Sequence, residues 1–172
     1  KQIFDIRGYI SEESNDITFT NNHGKYIIAF DPLDGSSNIN SNISIGSIYG
    51  VYDWDEKTKK IGNIVNAGYC LYGPSTILVI TEKDSLNMYT LDQNYHFKFT
   101  SNITLDNKDK LIYSINQSNS FNNDHFSDLL NYYKQNKYNT RWIGTMVADC
   151  HRTLIQGGVF LYPSTTNNKN GK

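Results

Sequence analysis

The chain is poor in cysteine, proline and net charge, and each shortage excludes something. Its 172 residues include 2 Cys and 3 Pro, and 16 Lys+Arg stand against 17 Asp+Glu for a formal charge of -1. Two cysteines, Cys70 and Cys150, cannot staple a domain of this size, so a disulfide scaffold is excluded. Neither belongs to a CxxC pair, and both read as buried free thiols in a reducing compartment. The even charge balance lacks the basic footprint of a nucleic-acid binder, so no nucleic-acid partner is expected. No apolar run approaches the roughly 20 residues of a membrane-spanning helix, and no membrane partner is expected either. The chain opens on Lys1 rather than Met, and no signal or transit segment is visible. Internal repeats and Gly/Ser-rich linkers are also missing. What remains, 38% hydrophobic and 19% charged residues, fits a globular domain with a real core.

Strands and helices mix without a regular βαβ beat, which predicts an α/β class, more closely an α+β layered sandwich. Tyr26–Phe30 reads as a buried strand stopped by the turn formers Asp31-Pro32-Leu33-Asp34-Gly35. A second strand is expected over Ile43–Tyr52 and a solvated turn over Asp53–Lys60. Asn63–Tyr72 reads as a short helix ended by Gly73-Pro74. Thr76–Thr81 reads as a strand, and Met88–Leu91 with His96–Thr100 as a hairpin around Asp92-Gln93-Asn94. Further on, strands are expected at Leu111–Ile115 and Val159–Tyr162, helices at Asp124–Gln135 and Ala148–Ile155, and a polar loop over Ser164–Lys172. The best candidate for a domain boundary is Asn102–Lys110, dividing the chain into 1–105 and 106–172.

The chemistry concentrates in Asp31-Pro32-Leu33-Asp34-Gly35-Ser36-Ser37. Two carboxylates three residues apart, on a tight turn at a strand's end, can both face one hard cation, and the Leu33 carbonyl can add a third oxygen. Such a partial oxygen cage suits Mg²⁺, which keeps some of its six positions for water or phosphate. The backbone N–H groups of Gly35 and Ser36 can meet a phosphate oxygen. A metal beside an amide nest is the equipment of phosphate hydrolysis. Asp-Pro and Asp-Gly are also ordinary Asx-turn formers, which is the plain structural alternative. Glu12-Glu13 alone would be a solvated surface pair, and it gains meaning only beside this turn.

Together with later strings, the chain resembles the fructose-1,6-bisphosphatases. The strings are Ile10-Ser11-Glu12-Glu13, Phe30 through Ile39, Ala67 through Gly73, Tyr113 through Gln117, Arg141 through Leu154 and Gly157 through Pro163. The Asp31–Ser37 motif alone would indicate only the wider lithium-sensitive, metal-dependent phosphatase superfamily. The Arg141–Leu154 string narrows it.

The resemblance implies a sugar-phosphatase fold of alternating helix and mixed-sheet layers, truncated at both ends. Residues 1–105 would belong to the metal-motif domain and 106–172 to the sugar-phosphate domain. It further implies Mg²⁺-dependent hydrolysis of the 1-phosphate of fructose 1,6-bisphosphate, with Mn²⁺ or Zn²⁺ as substitutes, in a cytoplasmic homotetramer of gluconeogenesis. Glu12, Asp31, Asp34 and the Leu33 carbonyl would hold the divalent metals, and Glu12 and Glu13 would act in catalysis, Glu13 by helping to activate the water. Asp34, Gly35, Ser36 and Ser37 would meet the 1-phosphate. Asn116, Asn119, Arg141 and Tyr162 would receive the 6-phosphate, Arg141 from a neighbouring subunit. Gly144, Thr145, Met146 and Lys172 would line the sugar. Lys25 and Tyr26 match a pair that binds AMP in inhibited members. His151 and Arg152 read as a structural pair and stay outside the site.

Several departures qualify these expectations. Trp142 replaces a Tyr after the phosphate-binding Arg and lacks its hydroxyl. Asn40 replaces an Asp at the end of the metal motif. Asp53 stands where AMP-inhibited members carry a basic residue, so weak or absent AMP inhibition is expected. The resemblance covers the middle of a longer chain, so this fragment alone is expected to be inactive and poorly stable. A sedoheptulose-1,7-bisphosphatase or dual-specificity enzyme is the alternative within enzymes. From another class, the alternative is an inactive relic that binds sugar phosphate.

Overall fold

The computed structural model describes residues 5–14, 16–105, 110–116 and 125–164. The chain divides into two compact units, residues 1–103 and 104–172. In the first, β1 (Ile6–Ser11), β2 (Thr18–Phe19), β3 (Tyr26–Asp34), β4 (Ile45–Asp55), β5 (Lys60–Tyr72), β6 (Thr76–Glu82), β7 (Ser85–Leu91) and β8 (Phe97–Asn102) form one sheet. Its order is β2-β1-β3-β4-β5-β6-β7-β8. Strands β1 and β3 run parallel, and every other neighbouring pair is antiparallel. Ile27 and Val79 are wholly buried. The β7–β8 hairpin turns on Asp92, whose carboxylate accepts the N–H groups of Asn94 and His96 at 2.9 Å each.

Two expectations for this unit need correction. Residues 63–72 are not helical but belong to the 13-residue strand β5. Within it, Gly68 makes room for a neighbour. Gly68 stands opposite Tyr49, and a Cβ there would lie 2.7 Å from the Tyr49 hydroxyl. Cross-strand packing, rather than intrinsic propensity, decides the segment. Nor does β3 stop at Pro32. It runs on to Asp34 through an irregularity, since Asp31 pairs with Ile48 and Asp34 with Gly46. A β-bulge is one of the few places where a strand accepts a residue without an N–H.

Arg7 is a buried cation that the sequence reading passed over. It donates to the carbonyls of Gly24 (2.9 Å) and Asn22 (2.6 Å), pairs with Glu56 and lies 5.1 Å from the Trp54 ring centroid. It thereby ties β1 to the loop before β3 and to the far end of β4.

The second unit holds a parallel sheet of β9 (Ile112–Ile115), β10 (Asn139–Thr140) and β11 (Val159–Leu161), in the order β10-β9-β11. Central β9 is buried at all four positions, as a covered parallel strand should be. Helix α1 (His125–Gln135) presents Leu130 and Tyr133 to Tyr113 and Ile115. The Tyr133 ring stacks on Tyr113 with centroids 5.2 Å apart. Helix α2 (Met146–Gln156) ends where Gly157 and Gly158 take φ of 88° and 98°. At Gly158 a side chain is doubly excluded, because its Cβ would come within 2.5 Å of the Ile112 carbonyl oxygen. The loop expected at the C-terminal end lies, beyond Ser164, outside the described residues.

Candidate active site

The acidic turn of the first unit is built by two neighbouring parallel strands. Ser11 in β1 pairs with Phe30 in β3, and the Glu12 N–H continues that ladder to the Phe30 carbonyl at 3.4 Å. Glu12 and Asp31 therefore stand side by side at the carboxyl ends of adjacent strands. Glu12 and Glu13 are exposed, whereas Asp31 and Asp34 are only 7% and 2% exposed. The Asp31 Oδ1 accepts the Leu33 N–H at 2.9 Å, an Asx-type bond that shapes the bulge. Its Oδ2 is enclosed as well.

Two further side chains, not singled out in the sequence, fix this turn from behind. Ser47 in β4 donates its hydroxyl proton to the Pro32 carbonyl at 2.7 Å. The Tyr72 hydroxyl lies 3.0 Å from the same Oγ and can donate to it. Gly35 then takes a φ of 80°, in the left-handed region, and opens the 3-10 turn Ser36–Ser41. The first N–H groups of such a turn have no acceptor inside it.

The donors available here are hard oxygens throughout: two buried carboxylates, a main-chain carbonyl at Leu33 and the Glu12 carboxylate on the adjoining strand. That set fits a hard divalent cation better than a thiophilic one. Among the described residues, no three His, Cys, Asp or Glu side chains are grouped closely enough to hold an ion by themselves. The turn supplies a partial shell.

In the second unit, Asn116 and Tyr162 lie together at the carboxyl end of the parallel sheet, whereas the Arg141 side chain lines a cavity with residues at the starts of β9 and β10. Leu161 pairs with Ile115, so Tyr162 and Asn116 follow one another's register as the strands end, and the Asn116 N–H reaches the Leu161 carbonyl at 3.4 Å. Arg141 leaves β10 with its N–H on the Tyr113 carbonyl at 2.9 Å. Its side chain is exposed and lines a cavity of about 400 Å³ with Lys110, Lys137, Asn139 and Arg152. Four cations in one wall make this an electropositive surface. Trp142 lies parallel to Phe160 with centroids 6.4 Å apart, so stacking holds it in place of the lost phenol.

Not every predicted residue is open to a ligand. Gly144 and Met146 are half-buried, but Thr145 has no exposed surface. Asn119 and Lys172 lie outside the described residues. Lys25 lies 3.8 Å from Asp5, and Tyr26 pairs directly across β3–β4 with Asp53. The acid at 53 therefore faces the position matched to an AMP-binding Tyr.

The fructose-1,6-bisphosphatase N-terminal domain matches residues 1–102, and the C-terminal domain matches residues 106–172. The chain belongs to the fructose-1,6-bisphosphatase family. It is 42% identical over 183 residues to the cytosolic fructose-1,6-bisphosphatase of Solanum tuberosum, covering 95% of this chain and 53% of that protein. It is 45% identical over 157 residues to the class 1 fructose-1,6-bisphosphatase of a Sulfurihydrogenibium strain, covering 86% and 48%. Among solved structures it is similar to Leishmania major fructose-1,6-bisphosphatase in holo form, with a TM-score of 0.82 and 39% identity over 97% of this chain and 58% of that one. The likeness bears out the α/β layered fold. The chain spans about half the length of the curated relatives it matches.

Proposed function

We propose that the protein is a divalent-cation-dependent sugar-bisphosphatase that releases the 1-phosphate of fructose 1,6-bisphosphate, leaving fructose 6-phosphate. The observation that carries this reading is the pair of buried carboxylates, Asp31 and Asp34, on a bulged turn beside Glu12, in a chain of this family. Mg²⁺ is the proposed ion, with Mn²⁺ or Zn²⁺ as substitutes, held by Glu12, Asp31, Asp34 and the Leu33 carbonyl. When bound, it polarises the phosphoryl group and offsets its charge. Glu13 takes the proton from the attacking water, whose oxygen bonds to phosphorus as the bond from phosphorus to the C1 oxygen breaks. The C1 oxygen leaves with a proton taken from solvent water, Glu13 returns its own to solvent, and the amides of Gly35, Ser36 and Ser37 orient the phosphate.

Residues 1–105 serve as the domain of the metal motif and 106–172 as the domain of the sugar phosphate. Asn116, Asn119, Tyr162 and Arg141 receive the 6-phosphate, the last from a neighbouring subunit of a homotetramer, and Gly144, Met146 and Lys172 line the sugar. A cytoplasmic role in gluconeogenesis follows from this activity and from relatives described as cytosolic.

The test is phosphate release by the protein from its full reading frame, offered fructose 1,6-bisphosphate, sedoheptulose 1,7-bisphosphate and inositol 1-phosphate with and without Mg²⁺. Preferential, Mg²⁺-dependent hydrolysis of the first, abolished in Asp31→Ala and insensitive to AMP, is expected. Preference for the sedoheptulose ester would move the activity to the alternative substrate. Binding of fructose 6-phosphate with no hydrolysis of any ester would make the protein a relic.

A further inference from the structure

Asp149 has no exposed surface, yet it carries a carboxylate in the first turn of α2. A charge in that position must be satisfied by protein groups. Its Oδ2 accepts the N–H groups of Ile143 and Gly144, each at 3.0 Å. Its Oδ1 lies 3.1 Å from the Ile143 nitrogen and 3.2 Å from the Ser114 hydroxyl, and pairs with the Arg152 guanidinium. Arg152 in turn donates to Ser114 Oγ and, at 2.9 Å, to the Arg141 carbonyl. The Ser114 hydroxyl, which has one proton, is also within reach of that carbonyl.

These contacts grip one short segment from beneath. The carbonyl of Arg141 and the N–H groups of Ile143 and Gly144 are held by three side chains drawn from β9 and α2. The segment needs such restraint, because Gly144 takes a φ of 87° and glycine gives up much conformational freedom there. A carboxylate serving only the helix dipole would stabilise α2. It would not account for an arginine on the same helix reaching the Arg141 carbonyl.

We propose that Asp149 and Arg152 are positioning residues that hold the Arg141–Gly144 backbone in the conformation that presents Arg141 to a sugar phosphate. This rests on the reading given above for that loop. Asp149 has no surface to offer a ligand; Arg152 lines the cavity, but the groups it holds here are Asp149, Ser114 and the Arg141 carbonyl. Both act through the backbone, where small misplacements of a binding group are costly.

The experiment compares Asp149→Asn and Ser114→Ala with wild type, all made from the full reading frame. It measures KM and kcat for fructose 1,6-bisphosphate, the Kd for fructose 6-phosphate by calorimetry, and thermal midpoints. A loosened loop raises KM and Kd at least tenfold in Asp149→Asn and about threefold in Ser114→Ala, with kcat within threefold of wild type. Lower thermal midpoints with KM and Kd inside twofold of wild type would overturn the proposal. If Asp149→Asn does not fold, Ser114→Ala decides by the same criteria. A wild type that binds fructose 6-phosphate without hydrolysing any ester would overturn the functional reading, and the Kd comparison would still decide this one. A wild type that does neither would overturn both.

Discussion

The acidic turn of the first unit and the cationic loop of the second are built on opposite plans. At Asp31–Ser37 the chemical groups are themselves the buried ones, with Asp31 and Asp34 enclosed at the end of a long strand. At Arg141–Gly144 the Arg141 side chain is exposed, and the burial belongs to a second tier, Asp149 and Ser114, which Arg152 bridges. One region concentrates like charges at a single turn. The other pairs its buried carboxylate internally with Arg152 and carries Arg141 at the surface. Removing a group from the first should therefore damage metal binding and turnover, while loosening the second should damage affinity.

The largest effect is expected at the turn. Asp34→Asn should lower kcat by about a thousandfold, the scale of losing one preorganised electrostatic group. It should also abolish the thermal stabilisation by Mg²⁺, which in wild type amounts to about 2.7 kcal/mol at a hundredfold excess over Kd. Calorimetric melting with and without the ion checks this, and equal Mg²⁺-induced shifts in both proteins would remove Asp34 from the metal shell.

A smaller effect concerns the loop's own helix. Burial pushes the His151 imidazole below its ordinary pKa. Above the ordinary value of about 6.5, folded and unfolded chains are both neutral at this group and its contribution to stability is fully present. As pH falls through that value, the unfolded chain takes up a proton that the folded chain resists, so stability is lost on acidification. Melting curves from pH 8 to 5.5 should show a steeper decline for wild type than for His151→Gln. Parallel declines would show that His151 is not the group responsible.

The two regions were also unequally legible. The acidic turn could be read because Asp31, Asp34 and Gly35 lie in one continuous string of turn formers. The β7–β8 hairpin was legible for a similar reason, since Asp92 makes its own turn. The second tier of the loop was not, because Ser114 and Asp149 are 35 residues apart and nothing local marks Asp149 as more than a polar residue near a helix start. Ser47 and Tyr72 escaped in the same way, meeting Pro32 only after three strands align. Residues 63–72 misled because Gly68 answers to the Tyr49 ring on the neighbouring strand rather than to a helix. Contacts between sequence-distant residues decided each of these cases.

The division of labour between turn and loop is tested most directly by comparing kcat/KM for fructose 1,6-bisphosphate and fructose 1-phosphate in wild type and Arg141→Ala. Wild type should prefer the bisphosphate strongly. Loss of a charge-assisted contact, about 1.5–3 kcal/mol, should cut that preference roughly 10- to 100-fold while leaving the monophosphate rate unchanged. An unaltered preference in Arg141→Ala, or an equal fall on both substrates, would contradict the assignment of the distal phosphate to the loop.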